Sequence, residues 1–381
     1  MVLVRLVIGG LKLTRRPQGR SRLVTWLKRI GLTALALVLV GGVAAYAFQA
    51  RIGVWLFERG TAQRMGVDNL AALGDGLHVG LCGTGSPMPS LDRAGPCNVV
   101  IAGEQMFVVD IGEGGAETLN VMGISSGKAD GLLLTHFHSD HIDGFGPLML
   151  FHWTRGSSTA PLPVYGPRGV EAIVDGFNAA YATDNTYRIA HHGTAVVPPS
   201  GAGGIARPFE MTGPATVVLE RDGLKITAFT VNHDPIKPSV GYRFDYKGRS
   251  LCISGDTKKS PNLEAVCKGV DILVHEALNP GLVQKMEAAA GADSQVGAAK
   301  IMHDIQDYHT SPEEAAESAQ AAGAGMLVLS HLVPPLPSRW LYAAFLGDAE
   351  SRFSGPLVVG EDGMMFSLPT GSKAIDRTRL I

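Results

Sequence analysis

The chain has 381 residues, of which 45% are hydrophobic and 18% are charged, so it is long and apolar enough to bury a sizeable core. Residues 1–29 carry eight Lys or Arg and no acidic residue. The rest of the chain has 25 basic residues (33 − 8) against 35 acidic ones, a net charge of −10. Because phosphate neutralisation needs Lys and Arg, this acidic body argues against general nucleic-acid binding.

The first predicted element is an apolar helix near the N-terminus. Residues 30–48 contain no charge, and Lys28 and Arg29 precede them directly. This length nearly spans a bilayer, and the positive-inside rule places the following chain outside the cytoplasm. We expect an inner-membrane anchor with a periplasmic domain, or an exported protein. The small residues Ala45 and Ala47 would also suit a cleaved signal peptide, and a buried core helix is a third interpretation.

The remaining chain alternates short apolar runs with turns and helical stretches. Strands are predicted at 77–82, 98–102, 106–110, 132–135, 217–219, 224–231, 242–246, 250–254, 272–275 and 326–330. Helices are predicted at 142–152, 169–182, 262–269, 298–305 and 312–322. Strands followed by helices occur twice, which indicates an α/β protein with two face-to-face sheets and helices outside. The predicted segments are a basic segment 1–29, a membrane helix 30–48, a linker 49–76, a main domain 77–368 and a polar tail 369–381.

A dense cluster of metal-binding residue types follows the predicted strand at 132–135. It contains His136, His138, Asp140 and His141 in the pattern H-x-H-x-D-H. Alternate residues of an extended chain point the same way, so His136 and His138 can reach one metal ion while the other two reach a second. Buried unpaired histidines would destabilise the fold, so we expect this cluster to bind metal.

Three later residues continue the pattern. His233, Asp256 and His331 each lie directly after an apolar run that is predicted to be a strand. We therefore expect all of them at the ends of strands, on one edge of the two-sheet core.

Together these motifs resemble the metallo-β-lactamase superfamily over residues 77–368. The resemblance implies an αββα sandwich with an N-terminal hydrophobic helix, and two Zn²⁺ ions per chain. It implies that His136, His138 and His233 bind one zinc, that Asp140, His141 and His331 bind the other, and that Asp256 bridges them. It also implies hydrolysis by a hydroxide shared between the ions, with Asp140 among the catalytic residues. Asp110, at the end of a predicted strand, is interpreted as structural.

Two further motifs resemble the ribonuclease Z and arylsulfatase branch. They are Val274-His275-Glu276-Ala277 and His309-Thr310-Ser311-Pro312. The resemblance implies that Glu276 orients His309, which contacts the substrate or protonates the leaving oxygen. Pairing with a carboxylate favours a charged imidazole donor, which is consistent with that role. The tRNA-processing enzymes carry a Gly/Pro-rich arm after the first histidine motif, whereas residues 151–232 here predict a strand, a helix, a loop and further strands.

The leading hypothesis is a dizinc hydrolase of a phosphodiester or sulfate ester in a small molecule, with the membrane contacted through the N-terminal helix. A tRNA 3′-processing endoribonuclease remains an alternative if the chain is cytosolic. A lactonase or β-lactamase-like hydrolase and a non-catalytic zinc scaffold are further alternatives, and the chain could form a homodimer.

The four cysteines, Cys82, Cys97, Cys252 and Cys267, form no C-x-x-C pair, which argues against a cysteine-based zinc site. Cys82 and Cys252 lie in predicted strands and suit buried apolar positions. Disulfides become an alternative if the domain is exported.

Overall fold

The computed structural model describes residues 18–381, with side chains from residue 22 onward. The first part of the predicted basic segment therefore lies outside the described residues. The helices are α1 Gln18–Ala47, α2 Gln49–Arg64, α3 Gly115–Val121, α4 Phe145–Gly156, α5 Val170–His192, α6 Pro261–Val266, α7 Pro280–Ala292, α8 Val296–Asp304, α9 Pro312–Ala322, α10 Tyr342–Leu346 and α11 Ala349–Arg352.

Fifteen strands are present in the described chain. They are β1 Gly76–Gly83, β2 Cys97–Ala102, β3 Gln105–Val109, β4 Gly131–Leu133, β5 Leu162–Pro167, β6 Gly204–Phe209, β7 Ala215–Arg221, β8 Leu224–Thr230, β9 Val240–Tyr246, β10 Arg249–Ile253, β11 Ile272–Leu278, β12 Met326–Val333, β13 Leu357–Val359, β14 Met364–Pro369 and β15 Asp376–Arg379.

The N-terminal helices and the rest of the chain are separate compact units. α1 and α2 belong to a unit that ends at Val67, and Asp68–Ile381 form the other. Within the described residues, one helix is long and apolar enough to cross a membrane, at Arg22–Ala47 with a mean hydropathy of 2.1. A signal sequence has the same properties. The predicted linker 49–76 missed α2, which carries no wide apolar stripe that would reveal it in the sequence.

The strands of the larger unit form two sheets. The first sheet has the order β15-β14-β1-β2-β3-β4-β5-β6, and the second has the order β13-β12-β11-β10-β9-β8-β7. β15 pairs antiparallel with β14, so the predicted polar tail 369–381 contains a strand of the first sheet. All four residues of β15 are exposed, so they lack the apolar alternation on which the sequence prediction relied.

Side-chain alternation along the strands creates three buried layers. In β3, Phe107 and Val109 enter the core between the sheets, whereas Met106 and Val108 pack on the outer side against the helices. A third cluster covers the outer face of the second sheet and includes Ala315 and Ala319 of α9. This arrangement confirms the predicted αββα sandwich.

Candidate metal centre

The first four candidate residues lie just beyond β4. Asp110 fixes this loop, because its Oδ1 accepts the backbone N–H of Thr135 at 2.8 Å and its Oδ2 accepts the Thr135 hydroxyl at 2.8 Å. A single 3₁₀ turn, Ser139–His141, then brings Asp140 and His141 inward before α4 begins. The loop therefore carries four candidate metal-binding side chains at the carboxyl end of the strand.

The other three residues come from the second sheet. His233 follows β8, Asp256 follows β10, and His331 lies within β12. The Asp256 turn requires Gly255, which has a φ of +61°, and a Cβ there would lie 2.6 Å from the carbonyl oxygen of Val240. The site is thus assembled from both sheets.

A β-bulge directs His331 toward the centre. The pairing register between β11 and β12 shifts at this point, since Glu276 pairs with Ser330 and Ala277 with Leu332. His331 is the extra residue and has a φ of +46°, in the left-handed region that residues other than glycine seldom adopt. Such local strain is a feature of functional sites in many proteins.

All seven predicted ligands meet at one point. Their metal-binding atoms form two groups, within each of which these atoms lie within 4.8 Å of one another: His136, His138, His233 and Asp256, and then Asp140, His141 and His331. The Oδ2 atom of Asp256 lies 3.3 Å from Nε2 of His141 and of His331. It lies 3.9 Å from Nε2 of His136 and of His233. Asp256 therefore stands between the two groups.

The electrostatics of the cluster favour positive charge at its centre. Burial alone would lower the pKa of His331, but Asp256 and the hydrogen bond to Asp140 raise it to about 9. Burial also acts to lower the pKa of His141. The carboxylates of Asp256 and Asp110 outweigh it and raise that pKa well above its ordinary value. His136 shows the opposite behaviour, because burial and the nearby His141 lower its pKa well below the usual range.

Buried polar atoms at the centre lack hydrogen bonds. Among the described side chains, these include Nε2 of His233 and Oδ1 of Asp256. An unpaired buried polar group costs about 1–3 kcal/mol. A bound cation would satisfy such atoms, so the donor set fits a metal ion.

Two contacts outside the cluster hold its histidines in place. Nδ1 of His141 lies 2.9 Å from Oδ2 of Asp110, and Nδ1 of His233 lies 2.9 Å from the carbonyl oxygen of Tyr308. Such partners fix the tautomer of a metal-binding imidazole. From the sequence alone, Asp110 is interpreted only as structural, and the contact of Tyr308 is not predicted, because a backbone carbonyl has no residue-type signal.

The predicted pair of Glu276 and His309 is present beside the cluster. Oε1 of Glu276 lies 3.0 Å from Nδ1 of His309 and accepts the backbone N–H groups of Thr257 and Thr310. His309 stacks on His331 with ring centroids 5.6 Å apart. The pair therefore lies against the candidate metal ligands.

The chain is similar to known proteins both in sequence and in fold. A family model described as "Beta-lactamase superfamily domain" matches residues 117–332. Ribonuclease Z of Mycobacterium bovis (strain BCG / Pasteur 1173P2) is 36% identical over 296 residues, which cover 75% of this chain and 96% of that protein. Two solved structures share the fold: the metallo-β-lactamase fold protein YhfI from Bacillus subtilis, and the short form of human tRNase Z.

The YhfI structure has a TM-score of 0.55 and 19% identity, covering 77% of this chain and 100% of that one. The human structure has a TM-score of 0.54 and 22% identity, covering 77% of this chain and 99% of that one. The family model spans more than half of the chain, and the match to the mycobacterial protein covers almost all of that protein. The chain belongs to the β-lactamase superfamily of metallo-hydrolases and is homologous to ribonuclease Z.

Proposed function

We propose that the chain is a dizinc phosphodiesterase. One ion would be held by His136, His138 and His233, and the other by Asp140, His141 and His331, with Asp256 shared. The observation that carries this proposal is the position of Oδ2 of Asp256, within 3.9 Å of a histidine nitrogen from each group. Imidazole and carboxylate ligands with a shared carboxylate suit zinc.

Other groups of the protein would orient the ligands and protonate the leaving oxygen. Asp110 and the Tyr308 carbonyl orient two of the ligands, and Glu276 holds His309 through Nδ1, which leaves Nε2 to protonate the departing alcohol oxygen. Oδ2 of Asp140 lies 3.3 Å from Nε2 of His331, so these two proposed ligands of the second ion lie side by side. Bound zinc would supply Lewis acidity and an activated water.

The names of the relatives make an RNA phosphodiester the first substrate to test, with tRNA 3′-processing as the activity. In the described chain, residues 157–214 contain β5, β6 and the 23-residue helix α5 joined by loops, and only Val170 and Val174 of α5 are buried, so this interval is a helix and two strands rather than a Gly/Pro-rich arm. RNA cleavage would then rely on surfaces other than such an arm.

A small phosphodiester outside the cytoplasm is the second candidate. Three observations favour it: the apolar helix Arg22–Ala47, the net charge of −10 after residue 29, and two disulfides, Cys82–Cys97 and Cys252–Cys267. Disulfides persist mainly in oxidising compartments. The homodimer and the membrane anchor stay predictions.

A substrate screen of the full chain in detergent tests the proposal. Pre-tRNA, bis(4-nitrophenyl) phosphate, an aryl sulfate, a lactone and a β-lactam are compared before and after removal of metal by a chelator. We expect diester turnover that zinc restores and that His331→Ala abolishes. His303→Ala, at an exposed histidine, serves as the control. Diester turnover that survives chelation, or turnover confined to the lactone, the β-lactam or the aryl sulfate, would contradict the proposal.

A further inference from the structure

The aromatic ring of Tyr308 packs against two histidines of the candidate site at once. Its centroid lies 5.1 Å from that of His233, a proposed metal ligand, and 5.0 Å from that of His309, the proposed proton donor. The centroids of His233 and His309 are themselves 5.3 Å apart, so the three rings form a nearly equilateral triangle. These separations are direct ring contacts, and they place Tyr308 beside both groups.

The surroundings of Tyr308 hold the ring in this position. The residue directly follows the 3₁₀ turn Ile305–Asp307, and its carbonyl oxygen lies 2.9 Å from Nδ1 of His233. The ring also packs against a buried apolar cluster made of Leu278, Val283, Ile305 and Val333. Apolar contacts and imidazole contacts therefore fix the orientation of the side chain together.

The phenolic hydroxyl of Tyr308 is free to bind a ligand. It forms no hydrogen bond with another described residue, since the side chain's neighbours contact only its ring and its carbonyl group. The oxygen is also absent from the fully buried polar atoms that lack a partner, so it is accessible from outside the protein.

The phenol lies close enough to the metal cluster to be affected by its charges. Burial raises the pKa of Tyr308, and so do the carboxylates of Asp304, Asp256 and Asp140. Asp256 and Asp140 are two of the proposed metal ligands, which places the phenol at the edge of the candidate metal centre.

A hydroxyl in this place suits an anionic oxygen of a substrate. A phosphodiester has two non-bridging oxygens that share one negative charge, so one can bind a metal ion while the other accepts a hydrogen bond. A hydrogen bond to a charged oxygen is about twice as strong as one between neutral groups. A phenylalanine ring would cover His233 and His309 equally well, so packing alone does not account for the hydroxyl.

We propose that the Tyr308 hydroxyl donates a hydrogen bond to a non-bridging oxygen of the bound phosphodiester. The inference rests on the proposed function and adds a substrate-contacting residue to it. The phosphoryl group would lie between the ion held by His233 and the Nε2 atom of His309, with Tyr308 as a third contact beside them.

The substitution Tyr308→Phe removes this hydroxyl and keeps both the ring and the backbone carbonyl that contacts His233. With bis(4-nitrophenyl) phosphate and the zinc-loaded full chain, we expect kcat/KM to fall by about 10–100-fold. Zinc affinity and the free energy of unfolding should stay at the wild-type values. The matched control is Tyr187→Phe, because Tyr187 lies on α5 and is 66% exposed, and its kcat/KM should not change.

Three outcomes would overturn the inference while leaving phosphodiester hydrolysis intact. The first is a wild-type kcat/KM in Tyr308→Phe, and the second is an equal fall in Tyr187→Phe. The third is a fall in zinc affinity that matches the fall in kcat/KM, because the residue would then act through the metal site rather than on the substrate.

A binding measurement decides the case in which no diester is hydrolysed, which would overturn the proposed function. Calorimetric titration compares the binding of inorganic phosphate to the zinc-loaded wild type, Tyr308→Phe and Tyr187→Phe. Binding weakened by about tenfold in Tyr308→Phe alone would support the contact between the hydroxyl and a phosphoryl oxygen without turnover. Equal affinity in all three proteins, or no phosphate binding to the wild type, would refute it.

Discussion

Oε1 of Glu276 lies 3.0 Å from Nδ1 of His309, and the same oxygen accepts the backbone N–H of Thr257, the residue after Asp256. One carboxylate oxygen therefore sets the position of the proposed proton donor relative to the proposed bridging ligand. The other oxygen of Glu276 is buried without a hydrogen bond, so the carboxylate is held from one side only.

Replacing His309 should affect turnover according to the leaving group. If its imidazole protonates the departing oxygen, His309→Ala should lower kcat by about 10²–10⁴-fold for a diester with a poor leaving alcohol. The loss should be much smaller for 4-nitrophenolate, which departs without a proton. Steady-state kinetics across a series of aryl and alkyl diesters measures this difference, with His303→Ala as the surface control. The same loss for every leaving group would refute proton donation by His309.

Replacing Asp110 should weaken metal binding. Asp110 orients His141 and holds Thr135, and loss of such a partner typically reduces metal affinity by about 10–100-fold. Asp110 has a φ of +54°, which asparagine tolerates, so Asp110→Asn tests the charge without straining the backbone. Competition with a chromogenic chelator gives the zinc affinity.

Asp222→Asn provides a matched control, because Asp222 is also in the left-handed region, with a φ of +47°, in the turn between β7 and β8. Its zinc affinity should equal that of the wild type. Equal affinity in Asp110→Asn as well would show that the bond to His141 is not needed for metal binding.

The two disulfides should contribute measurably to stability. Each closes a sequence separation of 15 residues, for which the loss of unfolded-state entropy is worth about 3 kcal/mol. A phosphine reductant should therefore lower the free energy of unfolding of the full chain, measured by urea titration. The variant Cys252→Ala/Cys267→Ala should respond to the reductant about half as much. Four reactive thiols in the denatured protein, purified without reductant, would show that the bonds do not form.

The Glu361 carboxylate should give a pH-dependent contribution to stability. The hydrogen bonds from Arg339, together with Tyr342 and Arg379, lower its pKa from 4.5 to about 2 against the opposing effect of burial. Its folded-state pKa is depressed, so its stabilisation is complete above about pH 5 and is lost as the pH falls toward 2.

We therefore expect Glu361→Gln to lower the free energy of unfolding at pH 7 and to have a smaller effect at pH 3, as measured by denaturant titration. Glu350→Gln, at an exposed position on α11, should change neither value. If Glu361→Gln lowered the free energy of unfolding equally at the two pH values, the negative charge of Glu361 would not be the source of its stabilisation.

The sequence predicted the positions of most candidate ligands because they follow buried strands, whereas His331, which was expected at the end of a strand, lies within β12 at a bulge. His136, His233 and Asp256 lie within a few residues of β4, β8 and β10, and the parallel arrangement of the core strands brings their ends to one edge. The apolar runs that predict strands thus also predict where the ligands meet. The pattern of strands and helices indicated two face-to-face sheets with helices outside, and the resemblance to the metallo-β-lactamase superfamily implied the αββα fold and the full ligand set.

Other features depend on relationships that no local pattern encodes. The bulge at His331 requires knowledge of which strand pairs with β12, and the cysteine pairs require the distances between their strands. β15 is polar throughout and joins the sheet through its backbone. Such features follow from tertiary pairing rather than from residue type.

Each proposed zinc would bind side chains from both sheets. One would be bound by His136 and His138 of the first sheet and His233 of the second. The other would be bound by Asp140 and His141 of the first sheet and His331 of the second. The ions would connect the two sheets along one edge of the sandwich. Without metal, the two sheets would separate more readily at that edge, while the apolar core at the opposite end would still hold them together. Metal loss would be visible as faster amide exchange confined to the strand ends around the cluster.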